Sequence, residues 1–429
     1  MFLRKESIFV LAVFFVGIIG IFTVYSCHLN GPPIRSDGVG YYLYLPAVFI
    51  YHDIGLQRIA TERFDGLMPV GSGASPYKNS QKYLIKYPIG EALLMMPFFF
   101  LACLASFVAN VKIDGFSFLF QYAAAVSGLF YATAGLAILW RVLQRRFRQN
   151  TILLVLFGLL FGTNLFHYAT YDSVFSHAYS FFLFCAFLCL IDELIRSGYS
   201  PGRLITAGAA AGLIIVTRPT NALWLLVGAL YGVSSIPKLL KRFRFWMSHA
   251  KECLFFLAPF LGIIFLQLLY WKIITGTFII YPYQNEQFDF LKPEIVNVLF
   301  SVRKGLFFWS PILFIALPGL FYVRKRYPEL FIPALLFLPL NAYVISSWGC
   351  WWYGGAFGHR AFVESVPIFA VCLCSFYEGI GFVWGRRAFV FVTLVCAAFS
   401  TWLMAKYWTG AIPFDGVTLS QFIKAISPC

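Results

Sequence analysis

The most constraining feature of this chain is a succession of roughly a dozen apolar blocks, most of them near the ~20 residues that a helix needs to cross a bilayer. Strands of a membrane barrel would instead alternate polar and apolar residues over about 10 positions. Only 12% of the residues are charged, and a soluble domain carries about 25%. The sequence therefore predicts an all-α, polytopic integral membrane protein and excludes a barrel or a soluble enzyme.

The net charge of +15 comes from 33 Lys and Arg residues against 18 Asp and Glu residues. The basic residues stand in small groups between the apolar blocks, as in cytoplasmic loops that contact anionic headgroups. A nucleic-acid-binding protein would carry them as a patch on one folded domain. This pattern predicts a lipid bilayer as partner and no nucleic acid.

The basic loops also predict an orientation in the cell (inner) membrane. Arg4 and Lys5 precede the first block, which places the N-terminus in the cytoplasm, together with basic loops at 238–251, 324–326 and 386–387. Residues 1–429 then form a single membrane domain. Its predicted outer parts are a first loop with a juxtamembrane helix at 27–90, a second loop at 275–304 and a short tail at 409–429.

Two arrangements of about eleven spans fit the blocks. In one, residues 86–111 cross the membrane, and the basic residues of 141–148 face outward, against the positive-inside rule. In the other, residues 87–111 lie along or re-enter the membrane, and 204–236 form two short spans around Arg218. We prefer the second arrangement, whose spans are 7–26, 116–140, 151–170, 174–194, 204–217, 220–236, 252–273, 305–323, 330–348, 361–384 and 388–406.

Asp37 is the candidate catalytic residue, because polar groups at membrane depth are costly and gather on the predicted outer face. It precedes Gly38 and Gly40, which we expect to form a tight turn. Residues 41–51 are rich in tyrosine and predict a short amphipathic helix at the interface. An acid there is suited to act as general base on an acceptor hydroxyl. The alternative is an ordinary turn aspartate.

A second group of candidates consists of cations that could hold a phosphate, since Arg offers a planar fork of donors and Lys a point charge. The alternative is that these side chains extend to the outer headgroups. Arg218 favours the functional interpretation, because it stands inside an apolar run before a proline. The predicted phosphate-binding residues are Lys86, Arg218, Lys304 and Arg360.

Aromatic and polar residues supply the candidates for sugar or acceptor binding. The 348–360 segment carries Trp, Tyr and Gly residues and closes with His359 and Arg360; indole and phenol rings stack on sugars while their NH and OH groups bond hydroxyls. Asp172 and His177 could bind acceptor or metal, or form a polar interhelical turn. The predicted set is Tyr41, Tyr42, Asp172, His177, Asn221, Trp348, Trp351, Trp352, Tyr353 and His359.

These residues resemble the GT-C superfamily of polytopic glycosyltransferases, which use polyprenyl-phosphate sugars and include protein O-mannosyltransferases and the aminoarabinose transferase of lipid A. The resemblance lies in four features: Ser36-Asp37-Gly38 before a juxtamembrane helix, Lys86-Tyr87-Pro88 before an apolar segment, Gly212-Leu213 followed by Arg218-Pro219-Thr220-Asn221 at a helix break, and a loop at 275–304. The chain differs from larger members in having only a short segment after Trp408.

The resemblance implies that Asp37 lies at the catalytic centre and that a polyprenyl-phosphate sugar is the donor. The acceptor would be a surface glycan, a lipid-linked saccharide or a protein, on the extracytoplasmic face. No cofactor is implied with certainty, although a divalent ion, Mg²⁺ or Mn²⁺, could bridge Asp37 and Asp172. The alternatives are a lipid or polysaccharide transporter, which would show repeated broken helices, and a non-catalytic envelope scaffold.

Overall fold

The computed structural model describes residues 5–26, 31–78, 80–284 and 286–427. The described chain is mostly helical and has almost no sheet, which confirms the predicted all-α class. Two short strands, β1 (Ala74–Pro76) and β2 (Tyr83–Ile85), pair in antiparallel fashion within the 27–90 loop. Two 3₁₀ turns, Pro219–Ala222 and Arg360–Ser365, precede helices that continue them.

The helices are, in chain order, α1 (Lys5–Ser26), α2 (Asp37–Tyr42), α3 (Tyr44–Phe49), α4 (Gln57–Arg63), α5 (Gly90–Val108), α6 (Phe118–Leu143), α7 (Gln149–Gly162), α8 (Leu165–Thr170), α9 (Ser176–Ser197), α10 (Pro201–Thr217), α11 (Leu223–Leu230), α12 (Ile236–Ser248), α13 (Ala250–Thr275), α14 (Ile295–Phe300), α15 (Leu306–Trp309), α16 (Pro311–Ala316), α17 (Gly319–Arg326), α18 (Pro328–Ser346), α19 (Val366–Gly379), α20 (Val383–Trp408) and α21 (Leu419–Ile426).

Eight helices in the described ranges are long and apolar enough to cross a bilayer. They are α1, α5, α6, α9, α13, α18, the helix Arg360–Gly379 that contains α19, and α20. Three shorter apolar helices, α7, α10 and Pro219–Leu230, accompany them. This supports a multi-pass protein in a lipid bilayer.

Two of the predicted spans are interrupted, and two others, 220–236 and 361–384, end early, at Leu230 and Gly379. Residues 305–323 fall into α15, α16 and part of α17, because Pro311 and Pro318 cannot donate the amide bonds that a continuous helix requires. Residues 151–170 divide into α7 and α8 at Thr163, whose hydroxyl accepts from the Leu165 amide at 3.2 Å. Neither segment is the single straight helix that we expected.

The predicted juxtamembrane helix at 41–51 is instead two short helices, α2 and α3, that begin at Asp37. Tyr41 and Tyr42 are buried rather than spread along a surface. Gly38 and Gly40 lie inside α2 and do not form the tight turn that we expected. A Cβ on Gly40 would overlap the Ser72 carbonyl oxygen, so glycine is required there by close packing.

Helix α5 runs antiparallel to the N-terminal half of α6. The Tyr131 hydroxyl, midway along α6, donates to the Leu94 carbonyl at 2.8 Å, near the start of α5. Five residues farther along α5, Phe99 contacts Phe120 at the start of α6, with ring centroids 5.3 Å apart. Helix α5 therefore begins inside the bundle and runs toward the end where α6 starts.

Helices α10 and α11 form a hairpin that reverses at Arg218. At this reversal, Gly90 of α5 packs so closely on Thr217 that a Cβ would lie 2.6 Å from the Thr217 amide nitrogen. At the end of α11, the Tyr231 hydroxyl donates to Asp192 at 2.5 Å, near the C-terminal end of α9. Arg218 and Tyr231 thus lie at opposite ends of the bundle.

The end that contains Tyr231 also gathers the basic loops, and we call it the basic end. Its cations pair with acids from several helices, which joins α1, α6, α9, α17, α18 and α19. The ion pairs there are Arg141–Glu6, Arg145–Asp192, Arg145–Glu193, Arg146–Glu329, Arg196–Asp192 and Arg326–Glu378. Arg145 and Arg146 therefore lie at the same end as Arg326.

Candidate active site

A cavity of about 570 Å³ opens at the end opposite the basic end, and we call it the site cavity. Its walls come from the 27–90 loop, the start of α9, the α10–α11 reversal, the loop at 280–288 and the 348–360 segment. Predicted residues that line it are Asp37, Tyr41, Lys86, His177, Arg218, Trp348, Tyr353 and Arg360. Residues far apart in sequence are thus brought together around one space.

Asp37 and Arg360 form an ion pair at the wall of the cavity. The Asp37 carboxylate accepts from Arg360 Nη1 at 2.8 Å, and both side chains are less than one fifth exposed. Asp37 is held in the first turn of α2, after Ser36 with a positive φ of 46°. Gly38 brings α2 within reach of Val174, because a Cβ there would lie 3.0 Å from the Val174 carbonyl oxygen.

Arg218 forms a second buried ion pair with Glu364, at 2.6 Å between Nη1 and Oε1. His177 Nδ1 lies 3.0 Å from the same carboxylate oxygen. Arg218 occupies the reversal between α10 and the following 3₁₀ turn, where Pro219 ends the helix. Its guanidinium also lies over the Tyr353 ring, 5.8 Å from the centroid.

Phenol groups line the cavity beside these charges. Tyr41 and Tyr87 stack with centroids 4.4 Å apart, and Ser176 donates to the Tyr41 hydroxyl at 3.1 Å. Burial raises the pKa of Tyr41 and of Tyr87 well above the usual range, and it raises the pKa of Tyr353 to about 12. The three hydroxyls therefore remain protonated near neutral pH and can donate hydrogen bonds to oxygen atoms of a ligand.

The loop that follows α13 covers one side of the cavity. Lys86 Nζ pairs with Glu286 Oε1 at 2.8 Å and lies 5.5 Å from the centroid of the Tyr283 ring. Farther along this loop, Phe288 pairs with Trp348 through an isolated β-bridge. The two long predicted loops, 27–90 and 275–304, therefore meet above the cavity.

Several other predicted residues lie outside the cavity wall. The Lys304 ammonium is buried and donates to the carbonyls of Ala356 and Phe414. Burial lowers its pKa to about 7. The Arg303 guanidinium lies over the Trp352 ring, with its Cζ 3.8 Å from the ring centroid. These contacts hold the 348–360 segment against the tail and leave Lys304 no direct route to a ligand in the cavity.

The remaining aromatic and amide candidates also have partners within the fold. Tyr42 donates to the Gly115 carbonyl at 2.6 Å, and Asn221 donates to Ser180 Oγ at 2.9 Å. His359 Nε2 lies 3.1 Å from the Trp351 carbonyl oxygen. The structure therefore places Tyr42, Asn221, Trp351, Trp352 and His359 behind the wall or beside it, where they support the cavity.

Asp172 lies in a separate charge network. It pairs with Arg35, and its second oxygen lies 2.9 Å from His167 Nε2. Burial would raise the pKa of Asp172, but the Arg35 and His167 contacts hold it at about 2. Trp408 donates to the other nitrogen of His167 at 2.9 Å. This network ties the turn before α9 to α8, α20 and the 31–36 segment.

The donor set does not fit a metal shared by Asp37 and Asp172. The two carboxylates pair with different arginines, Arg360 and Arg35. Within the described ranges, no three His, Cys, Asp or Glu side chains are grouped so as to hold a metal ion. A requirement for Mg²⁺ or Mn²⁺ stays a prediction from the sequence.

Sequence reasoning missed several residues of the site, among them Glu364, Glu286, Tyr87 and Tyr283. Glu364 had a usable signal, because it is an acid inside an apolar block four residues after Arg360. Glu286 and Tyr283 had none, since their loop reaches the cavity only through tertiary contacts. Comparisons with protein-family models, curated proteins and solved structures give no match for the chain.

Proposed function

We propose that this protein is a membrane glycosyltransferase that moves a sugar from a polyprenyl-phosphate donor to an acceptor hydroxyl, with Asp37 as general base. The observation that carries the proposal is the pairing of Asp37 with Arg360 at the wall of a cavity that also presents Arg218 and Lys86. A carboxylate that faces the same cavity as three cations suits a reaction in which a phosphate leaves and a hydroxyl loses a proton. The other two cations are held in place by acids of their own, Arg218 by Glu364 and Lys86 by Glu286.

The cations supply the donor site. Arg360 and Arg218 each present a guanidinium at the cavity, and Lys86 adds a third charge from the 27–90 loop. When a donor phosphate binds Arg360, it competes with Asp37 for that guanidinium. Asp37 then becomes available as a proton acceptor at the time when the sugar is in place.

The chemical step balances with these groups alone. The acceptor oxygen attacks the anomeric carbon while its proton passes to the Asp37 carboxylate. The bond between that carbon and the phosphate oxygen breaks, and the oxygen keeps the electron pair. Arg218 and Arg360 stabilise the charge that develops on the leaving phosphate. Attack from the face opposite the leaving group inverts the anomeric centre.

The fold class that we propose is GT-C-like, with the site cavity on the extracytoplasmic side of the inner membrane. The support is the grouping of Arg141–Glu6, Arg145–Asp192 and Arg326–Glu378 at one end, since basic loops are retained in the cytoplasm. The proposed topology has α10 and α11 as two short spans and α5 as a helix that re-enters from the outer side.

Cysteine labelling tests this orientation. Gln149 is exposed at the basic end, and Thr61 is exposed in the 27–90 loop. We expect an impermeant thiol reagent to label Thr61→Cys in intact cells and to label Gln149→Cys only after the membrane is opened. The unmodified chain serves as the control that measures labelling of the native cysteines. Labelling of Gln149→Cys in intact cells would overturn the orientation.

The function itself is tested with cells that lack the gene. We expect them to accumulate one polyprenyl-phosphate-linked sugar and to lose one sugar increment from a surface glycan, lipid or protein. The purified protein in nanodiscs should convert the accumulated lipid to polyprenyl phosphate when the acceptor fraction is added. If no lipid-linked sugar accumulates and the purified protein consumes none, the transferase proposal is wrong.

A further inference from the structure

A second cavity, of about 450 Å³, lies at the basic end between α9, α11, α12 and α13. Its walls are almost entirely hydrocarbon, with Ile191, Phe256 and Ala229 among the contributors. Among the described residues that line it, Arg242 is the one with a charged side chain, and it enters from α12 together with Trp246. Its Nη1 donates to the Ala229 carbonyl at 2.9 Å, which holds the guanidinium at the cavity wall. The size is that of a small-ligand cavity, and the composition suits a flexible hydrocarbon chain with one anionic group.

Helix α12 has the character of an interfacial helix. Within the described chain, none of its residues is buried. Ile236, Phe243 and Met247 form an apolar stripe at helical spacing, and each is at least 60% exposed. On another side of the helix, Phe245 stacks on Tyr199 with centroids 4.6 Å apart. An exposed apolar stripe beside a basic face is typical of a helix that lies in the headgroup region.

The cations of this region differ from the arginines that form ion pairs between helices at the basic end. Arg145, Arg146 and Arg326 are neutralised by acids of neighbouring helices. Within the part of the chain that the structure describes, no carboxylate pairs with the cations of the 238–251 stretch. These cations are Lys238, Lys241, Arg242, Arg244 and Lys251. Their counter-charge must therefore come from outside the folded chain.

We infer that the second cavity is a binding site for an anionic phospholipid, with an acyl chain among α9, α11 and α13 and the headgroup phosphate at Arg242. Both parts of that ligand have a matching surface: hydrocarbon walls for the chain and unpaired cations for the phosphate. A neutral lipid would leave the cations without counter-charge, and a soluble anion would leave the apolar walls bare. This inference does not depend on the proposed function.

The test is native mass spectrometry of the purified full chain titrated with phosphatidylglycerol or with phosphatidylcholine of the same acyl chains. We expect the wild type to retain phosphatidylglycerol more tightly. Arg242→Gln should reduce that preference about fivefold, because one Lys or Arg near the headgroup contributes about that factor. The matched control is Arg244→Gln, which removes the same charge from the same helix outside the cavity wall, and it should have a much smaller effect.

A second variant tests the hydrocarbon part. Ala229 is exposed at the cavity wall, so Ala229→Trp should fill the space with little strain on the fold, and it should lower the retention of both lipids. A monodisperse elution profile and an unchanged melting temperature establish that each variant is folded. Equal retention of the two lipids by the wild type, equal effects of the two arginine variants, or full retention by Ala229→Trp would each overturn the inference.

Discussion

Asp37→Asn is expected to abolish sugar transfer while the protein remains folded and membrane-inserted. The amide oxygen of asparagine can still accept from Arg360, so the 2.8 Å contact and the position of α2 should persist. The amide cannot take a proton from the acceptor hydroxyl, and the loss of a general base typically costs a factor of 10² to 10⁴ in rate. The variant should therefore still bind the donor and fail to consume it.

The measurement is the rate of polyprenyl-phosphate release by purified protein in nanodiscs, with donor retention measured on the same samples. The matched control is Asp53→Asn, the same substitution in the same loop, at a residue whose carboxylate caps the Gly55 and Arg58 amides away from the cavity. Asp37→Asn at more than half of the wild-type rate would show that Asp37 is only a structural residue of α2. If Asp37→Asn loses donor binding as well as turnover, the role of Asp37 is to bind the donor and not to accept the proton.

Arg218→Gln is expected to destabilise the protein strongly, and Arg218→Gln with Glu364→Gln is expected to restore stability without restoring activity. Removing Arg218 alone leaves the Glu364 carboxylate buried beside a histidine, and breaking a buried pair in this way typically costs about 3 to 5 kcal/mol. The double variant carries two neutral amides that can bond to each other. It lacks the guanidinium that we propose for the donor phosphate.

The melting temperature in detergent and the retention of donor lipid distinguish these effects. We expect the single variant to melt well below the wild type, and the double variant to melt near it but to retain little donor. If the double variant also regains transfer, Arg218 is a structural partner of Glu364 and the cavity binds phosphate through other groups. An unchanged melting temperature of the single variant would instead mean that the pair contributes little to the fold.

The sequence was sufficient for the helical class, because block length and hydropathy report directly on membrane helices. It also pointed to Asp37, Arg218 and Arg360, which line the site cavity. Of these, Arg218 stands inside apolar sequence, where a charge needs a partner or a ligand. The sequence did not reveal that Asp37 pairs with Arg360, because the two are more than 300 positions apart and meet only through the packing of α2 against the turn before α9.

The aromatic 348–360 segment shows why composition alone predicts more site residues than the structure places at the cavity. Each of its rings was equally plausible as a sugar platform. The structure turns Trp348 and Tyr353 toward the cavity and directs His359 back to the Trp351 carbonyl. Local sequence does not determine which rings face the cavity, because their orientation depends on contacts with the tail. There, the Phe414 carbonyl accepts hydrogen bonds from Lys304 Nζ and from the Ala356 amide. Lys304 was predicted to bind a donor phosphate. In the structure its ammonium instead holds the 348–360 segment against the tail.

The short hairpin at Arg218 has a mechanical consequence for the surrounding lipid. Helix α10, the longer arm, has 17 residues and connects the basic end to the Arg218 reversal over about 25 Å at 1.5 Å per residue, and the hydrocarbon layer is about 30 Å thick. If the basic end lies at one headgroup plane, Arg218 lies about 5 Å short of the other. We therefore expect the bilayer to be thinned beside this hairpin. Headgroups of the opposing leaflet would then sink toward the guanidinium, and a lipid phosphate would reach it without leaving the membrane.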